Sequence, residues 1–304
     1  MPSRISSSVA AGLIGWSTAS AALAADPVTS ADFATGSTGR ANPRSLSAVA
    51  TSPGVIGLDR QYTIGGSARL GPQQSRTFQA GASDSVTGPI ALGVMWAGEW
   101  STPPTPEDEL PGWRVEDDET ENPTEGTTIA GALGGAVLQR QLGLGIGVSY
   151  HRYKSFYREA EGVVDLSAGL SGRLGDQVVV AAAVRDFLPS EAFTRAPLTV
   201  EGGLRWGPSP WFAVEADVWS ELEGVDTPAL AVGVGGVAWV AKSVPLRLGY
   251  THDENRGPDR LSAGVGAGSE KGSLEYAIGV PLAPIDTNSG TLGTWHGLSM
   301  VVHF

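Results

Sequence analysis

The sequence predicts an all-β protein: a transmembrane antiparallel β-barrel of 14 strands, preceded by a short N-terminal segment. Three observations carry this reading. Apolar residues alternate with small or polar ones over segments of about 9–11 residues, the length that crosses a bilayer as a tilted strand. The connections between those segments alternate between long and short. The last residue, Phe304, is a large apolar side chain in register with the strand before it, since Leu298, Met300, Val302 and Phe304 share one face of an extended chain.

Composition narrows the class. Glycine contributes 42 of 304 residues, well above the usual share of about 7%. Charged residues make up only 17%, nine tryptophans are present, and the mean hydropathy is −0.02. Many strands with one apolar face and one small or polar face account for this mixture. No apolar run of about 18 residues exists, so no transmembrane helix is predicted. The absence of cysteine excludes a disulfide framework, a thiolate metal site and a cysteine-anchored lipoprotein. The net charge of −12, with no basic patch, argues against nucleic acid as a partner.

Residues 1–24 read as a secretory signal peptide, with Arg4 in the n-region, an apolar stretch from Ala10 to Trp16, and Ala22-Leu23-Ala24 as the cleavage site. Residues 25–54 form an N-terminal plug or leader segment, and residues 55–304 the barrel. Strands are expected at 55–69, 76–86, 90–100, 127–139, 142–152, 162–174, 177–186, 198–207, 210–220, 229–240, 243–251, 260–268, 272–280 and 294–304. The alternation is clean in several. Leu144, Ile146, Val148 and Tyr150 oppose Gly143, Gly145, Gly147 and Ser149; Phe212, Val214, Ala216 and Val218 oppose Glu215 and Asp217. Leu246, Leu248 and Tyr250 oppose Arg247 and Gly249, and Leu274, Tyr276, Ile278 and Val280 oppose Glu275.

Short turns at 87–89, 140–141, 175–176, 208–209, 241–242 and 269–271 alternate with longer connections, most of all 101–126. Outer-membrane barrels have short periplasmic turns and long external loops. The expected location is therefore the bacterial outer membrane, with both termini in the periplasm. Trp96, Trp100, Trp206, Trp211, Trp219, Trp239 and Trp295 fall near strand ends, as do Tyr150 and Tyr250, and are expected to form interfacial girdles.

A charge facing lipid at mid-depth costs about 2–4 kcal/mol for Arg or Lys. Asp165, Glu201, Arg205, Glu215, Asp217, Arg247 and Glu275 are therefore expected to line the lumen. Other chemistry has little support. The acidic stretch 101–126 lacks EF-hand spacing and reads as a solvated loop, so no metal is expected. The glycine-rich run from Gly264 to Gly272 has Lys271 followed by Gly272 where a phosphate loop needs Ser or Thr, and no cofactor is expected. Ser299 and His303 share a strand face, but four residues along a strand separate them by roughly 13 Å, too far for a proton relay. No catalytic residue, and hence no enzyme, is predicted.

Ahead of the first strand stand Ala41-Asn42-Pro43-Arg44 and Ser52-Pro53-Gly54. Here the chain resembles the FadL/TodX (OMPP1) superfamily of outer-membrane transport proteins, especially its PorV-like branch. That resemblance covers the mature chain in architecture and the region of Asn42-Pro43 in motif, where Arg44 stands in place of the family's alanine. It implies a small plug in the lumen that includes Asn42 and Pro43. It also implies passive transport of hydrophobic or small solutes or, as the alternative, a PorV-like barrel that serves as a docking partner in secretion or surface attachment. The expected partners are outer-membrane lipid, the barrel-assembly machinery, which reads Phe304 as its signal, and a hydrophobic small molecule. In an outer-membrane fraction the protein is expected to run compact on a gel unless boiled; a soluble protein with no such shift would refute the barrel.

Overall fold

The computed structural model describes residues 28–71, 75–100, 123–155, 161–188, 198–222, 229–254, 258–269, 271–283 and 293–304. The expected signal peptide, and residues 101–122 of the acidic connection, lie outside the described residues.

Two short helices come first, α1 (Ser30–Ala34) and α2 (Ala48–Thr51). Fourteen strands follow: β1 (Tyr62–Leu70), β2 (Arg76–Asp84), β3 (Ile90–Trp100), β4 (Pro123–Val137), β5 (Leu142–Ser155), β6 (Glu161–Leu174) and β7 (Val178–Arg185) make the first half. The second half is β8 (Thr199–Ser209), β9 (Phe212–Glu221), β10 (Ala229–Val240), β11 (Val244–Asp253), β12 (Arg260–Ser269), β13 (Gly272–Pro281) and β14 (Trp295–His303). Each strand pairs antiparallel with its neighbours in sequence, and β14 returns to β1 to close the barrel. The closing register runs from Thr63 opposite His303 to Leu70 opposite His296. Beyond it, Phe304 N–H donates to Tyr62 O at 2.9 Å and Tyr62 N–H to Phe304 O at 3.1 Å. Their rings lie 6.0 Å apart.

Closure removes both sheet edges, since each strand has a neighbour on either side around the ring. The burial pattern is the inverse of a soluble protein's. Ile146 is 60% exposed and Leu248 70% exposed on the outside, whereas Asp165 is 0% and Glu215 2% exposed inside. In water that surface would be an aggregation hazard; against hydrocarbon it is the stable arrangement.

One end of the barrel carries the turns 85–89, 138–141, 175–177, 210–211, 241–243 and 270–271. The other end carries the remaining connections, all of them longer except 71–75 and 156–160, which equal 85–89 in length. The alternation of loop length seen in the sequence thus corresponds to the two ends of one closed wall.

Two expectations need correction. The first strand starts at Tyr62, not near residue 55. Pro53 lacks a donor, and the chain after it folds into turns closed by Val55 N–H to Ser52 O and Leu58 N–H to Val55 O, each at 3.0 Å. Val55, Ile56 and Leu58 are apolar because all three are buried inside the barrel, not because they belong to its wall. Second, not every tryptophan joins an outer girdle. Trp96, Trp206 and Trp211 are outward and exposed, but Trp219 is 6% exposed and lies inside under Arg40. Trp219 has the same parity as Glu215 and Asp217, and Trp295 the same parity as buried Ser299. Strand parity, not nearness to a strand end, decides the side.

Deleting Phe304 removes two reciprocal backbone hydrogen bonds and a ring contact at the seam, a loss of about 2 kcal/mol where the last strand must register. The expected outcome is a lower yield of heat-modifiable barrel, measured by gel shift, with unchanged thermal stability away from the seam.

Candidate functional site in the barrel interior

The interior is where this chain departs from a plain barrel. Residues 28–61 lie inside it. Helix α1 packs on β11, β12, β13, β14 and β1, while α2 packs on β3, β4 and β5. Between the helices, Thr38 to Arg40 meets β8 and β9. The segment therefore touches the wall on widely separated sides.

The segment has its own internal knot. Thr29 caps α1, accepting the N–H of Asp32 at 3.2 Å and donating its hydroxyl back to Asp32 Oδ2 at 2.7 Å. Ser45 and Ser47 hydroxyls donate to the same oxygen, each at 2.6 Å. One buried carboxylate thus ties α1 to the start of α2. Burial pushes the Asp32 carboxyl up, and the hydroxyls of Ser45, Ser47 and Thr29 pull it partly back.

An ionic knot joins the segment to the wall. Arg40 donates from Nε to Glu201 Oε2 at 2.6 Å and lies 3.4 Å from Asp217 Oδ2 through its NH1. The backbone N–H groups of Gly39 and Arg40 donate to that same Asp217 oxygen at 2.9 and 3.0 Å. The guanidinium also sits 4.3 Å over the Trp219 ring. Thr38 Oγ1 donates to Glu215 Oε2 at 3.0 Å, and Arg205 Nε reaches Glu215 Oε1 at 3.2 Å. A second cationic clamp holds α1: Arg260 lies 4.3 Å and Arg69 5.4 Å over Phe33, which is fully buried.

Elsewhere the segment is held by close backbone approach. Gly36 turns with φ +80° against the wall, and a Cβ at Gly249 would fall 2.1 Å from Gly36 N. Only glycine allows both the turn and that approach.

Each residue expected in the lumen has a definite place. Glu201, Glu215 and Asp217 meet the segment as above. Arg205 pairs with Glu215, and Arg247 pairs with Glu275, to which Ser273 Oγ also donates at 2.6 Å. Asp165 sits apart from these, on β6. Its Oδ1 accepts the N–H of Leu166 at 2.7 Å and of Leu188 at 2.8 Å, folding the start of the β7–β8 connection over the wall. In the segment itself, Asn42 Oδ1 accepts the N–H of Arg44 at 3.1 Å, and Pro43 O accepts Gln61 Nε2 at 2.8 Å. Phe304 lies at the seam, 75% exposed. Ser299 and His303 do not meet; His303 Nδ1 is bonded to Thr63 Oγ1 at 3.1 Å.

Sequence reading missed Arg40, Asp32, Phe33 and Arg260. Asp32 and Arg40 are isolated charges in a run of small residues, which is the one local signal they carry. Nothing in one strand's alternation shows that a cation from the leader will meet two of its carboxylates.

A concavity of about 610 Å³ lies on the outer face, not in the interior; outward-facing Val214, Leu248 and Ile278 rim it, with small Gly236 and Ala263 at its floor.

No family model and no curated protein matches the chain. Solved structures do. The toluene transporter TbuX of Ralstonia pickettii is 11% identical, with a TM-score of 0.61 over 92% of this chain and 98% of that one. A Pseudomonas aeruginosa FadL homologue is 13% identical with a TM-score of 0.61, covering 90% and 98%. The CymD monoaromatic hydrocarbon channel is 11% identical with a TM-score of 0.61, covering 93% and 98%. At such identities the likeness is one of fold: the barrel architecture is shared with a toluene transporter, a FadL homologue and a monoaromatic hydrocarbon channel.

Removing Arg40 should leave Asp217 buried without its cation and Glu201 with Arg185 alone, at about 3–5 kcal/mol. Arg40→Met is expected to expose residues 28–61 to protease while the barrel stays heat-modifiable. Arg40→Met combined with Asp217→Asn should recover part of the protection; equal sensitivity of wild type and Arg40→Met would refute the knot.

Proposed function

We propose that the chain is an outer-membrane barrel that passes apolar or small solutes passively, with residues 28–61 as its plug. The observation that carries this reading is the construction of the interior. The wall presents mainly small side chains inward, and a separately folded segment, not the wall, fills the space. That segment is held by the ionic knot at β8–β9, an ion pair between Asp59 and Arg173, the cationic clamp at Phe33, side-chain hydrogen bonds such as Gln79 Nε2 to Val28 O and Ser171 Oγ to Gly54 O, and backbone packing onto glycines. None of these contacts belongs to the strand ladder of the wall, so the segment can shift without opening the sheet, and its shift frees a path along the wall. The shared fold with a toluene transporter and a monoaromatic hydrocarbon channel supports the same direction.

On this reading residues 1–24 are removed on export, the short-turn end faces the periplasm, and Phe304 is read by the assembly machinery. Membrane lipid covers the outward Leu, Ile and Val side chains. A second reading, a PorV-like docking barrel, is favoured by one observation: the segment spans the interior from β1 to β9, which suits a sealed lumen.

The chain lacks cysteine, which makes a crosslinking test clean. A Cβ at Gly93 would lie 3.4 Å from the Val49 Cβ, close to disulfide spacing. In Val49→Cys/Gly93→Cys cells, oxidation is expected to lower barrel-dependent uptake of labelled toluene several-fold, and reductant to restore it. Uptake that ignores oxidation would refute the plug; uptake equal with and without the barrel would favour docking.

A further inference from the structure

The short-turn end of the barrel, where the interior segment reaches the surface, carries a group of arginines around one aspartate. Arg44 and Arg60 belong to the segment, Arg140 lies in the β4–β5 turn, and Arg173 stands next to the end of β6. Asp59 pairs with Arg173 through Oδ1, and Arg44 Nε lies 3.6 Å from its Oδ2. Arg140 donates to Gly57 O at 2.8 Å and to Ser85 O at 3.4 Å. Arg60 donates to Val86 O at 3.0 Å. The four guanidinium groups thus gather on two short stretches of chain, 57–60 and 85–86.

Their charge is largely uncompensated. Asp59 alone serves Arg44 and Arg173, and among the described residues Arg60 and Arg140 meet only carbonyl oxygens. Asp84, two residues before Val86, spends its carboxylate on its own turn, accepting the N–H groups of Val86 and Thr87 and the Thr87 hydroxyl. A guanidinium bonded to a carbonyl keeps its full charge and has N–H groups left over. The group is also open to water: the Arg44 side chain is 59% exposed, and Arg60 is exposed.

Place selects the kind of anion. Arg44 and Arg60 sit on a segment enclosed by the ring of strands. Arg173 shares the inward parity of Ser171, whose hydroxyl donates to Gly54 O, and Arg140 reaches inward to Gly57 O. The group faces the opening of the barrel, so a lipid headgroup outside the wall does not reach it. The charge is also divided between two places, Arg44 and Arg173 at Asp59, and Arg60 and Arg140 at the 85–86 carbonyls. One compact anion fits a single cradle; a chain with carboxylates spaced along it meets both places at once.

The geometry points to a docking site for an acidic, extended segment of a periplasmic protein, seated across the short-turn mouth on Arg44, Arg60, Arg140 and Arg173. This rests on the orientation given above, with the short turns toward the periplasm, and not on transport. Carboxylates of that segment take the N–H groups that Arg60 and Arg140 leave over. They also compete with Asp59 for Arg173, one of the ties between the interior segment and the wall.

The test uses the purified full-length protein in neutral detergent and a labelled oligoglutamate of about ten residues, with oligoglutamine of equal length as control. Binding is read by fluorescence anisotropy. Oligoglutamate is expected to bind at about 0.01 M salt and oligoglutamine not; at about 0.15 M, where the screening length falls from about 30 to about 8 Å, affinity should drop about tenfold or more. Arg44→Gln/Arg60→Gln should weaken low-salt binding by a similar factor while the barrel stays heat-modifiable. The salt series needs no variant, so poor assembly of the variant does not blunt the test. No oligoglutamate binding at low salt, or equal binding by the variant, would overturn the site. Displacement by inorganic phosphate but not by chloride of equal ionic strength would make it a small-anion site, and displacement by phosphatidylglycerol micelles a headgroup site; either overturns the peptide. In this cysteine-free chain, Ser243→Cys in the β10–β11 turn should react with an impermeant maleimide only after the outer membrane is permeabilised. Labelling in intact cells would overturn the periplasmic partner. None of these measurements reads solute uptake, so their failure leaves the transport reading standing.

Discussion

The constraint on which the rest depends is the pairing of the wall's backbone groups within a closed ring of strands. Hydrocarbon offers no hydrogen-bond partners, so an open edge there is costly and a closed strand ring is one of two solutions available to a polypeptide. Closure forces the alternation of outward apolar and inward polar or small residues, because side chains on a strand can only alternate. From that follow the exposed Leu248 and Ile146, the buried Glu215 and Asp165, and the reciprocal bonding of Tyr62 and Phe304 that completes the ring. The inner face is then a surface that needs its own covering.

Residues 28–61 supply that covering, and their chemistry matches what the wall leaves inside. Where the wall presents carboxylates, the segment offers Arg40 and two backbone N–H groups. Where the wall presents glycine, the segment offers its own backbone, as Gly36 does to Gly249. Where arginines project inward from β1 and β12, the segment offers the face of Phe33. A buried carboxylate without a partner is costly, so these matches specify where the segment lies as well as holding it.

Much of the wall was legible in the sequence, because strand period and turn chemistry are local. Fourteen strands, their order and the inward parity of Glu215, Asp217, Arg247 and Glu275 all follow from neighbours within one strand or one turn. What was not legible is non-local. Val55, Ile56 and Leu58 looked like a strand because apolar residues do not announce whether they face lipid or fill a lumen. Trp219 was placed by nearness to a strand end, although its parity with Asp217 already put it inside. The pairing of Arg40 with carboxylates more than 160 residues away has no local signature at all.

The interior segment also bears on the order of assembly. It precedes β1 in the chain, yet its contacts reach β3–β5, β8–β9 and β11–β14. Contacts of such sequence separation form late, since each needs a long loop of chain to be closed first. The Asp32 knot, in contrast, is made wholly from residues 29–47 and needs nothing from the wall. The segment thus carries one knot that is local in sequence, while its attachment to the wall is not. The β1–β14 seam, which joins the first strand to the last, is the pairing of greatest sequence separation in the wall, and so the one with the longest loop of chain to close.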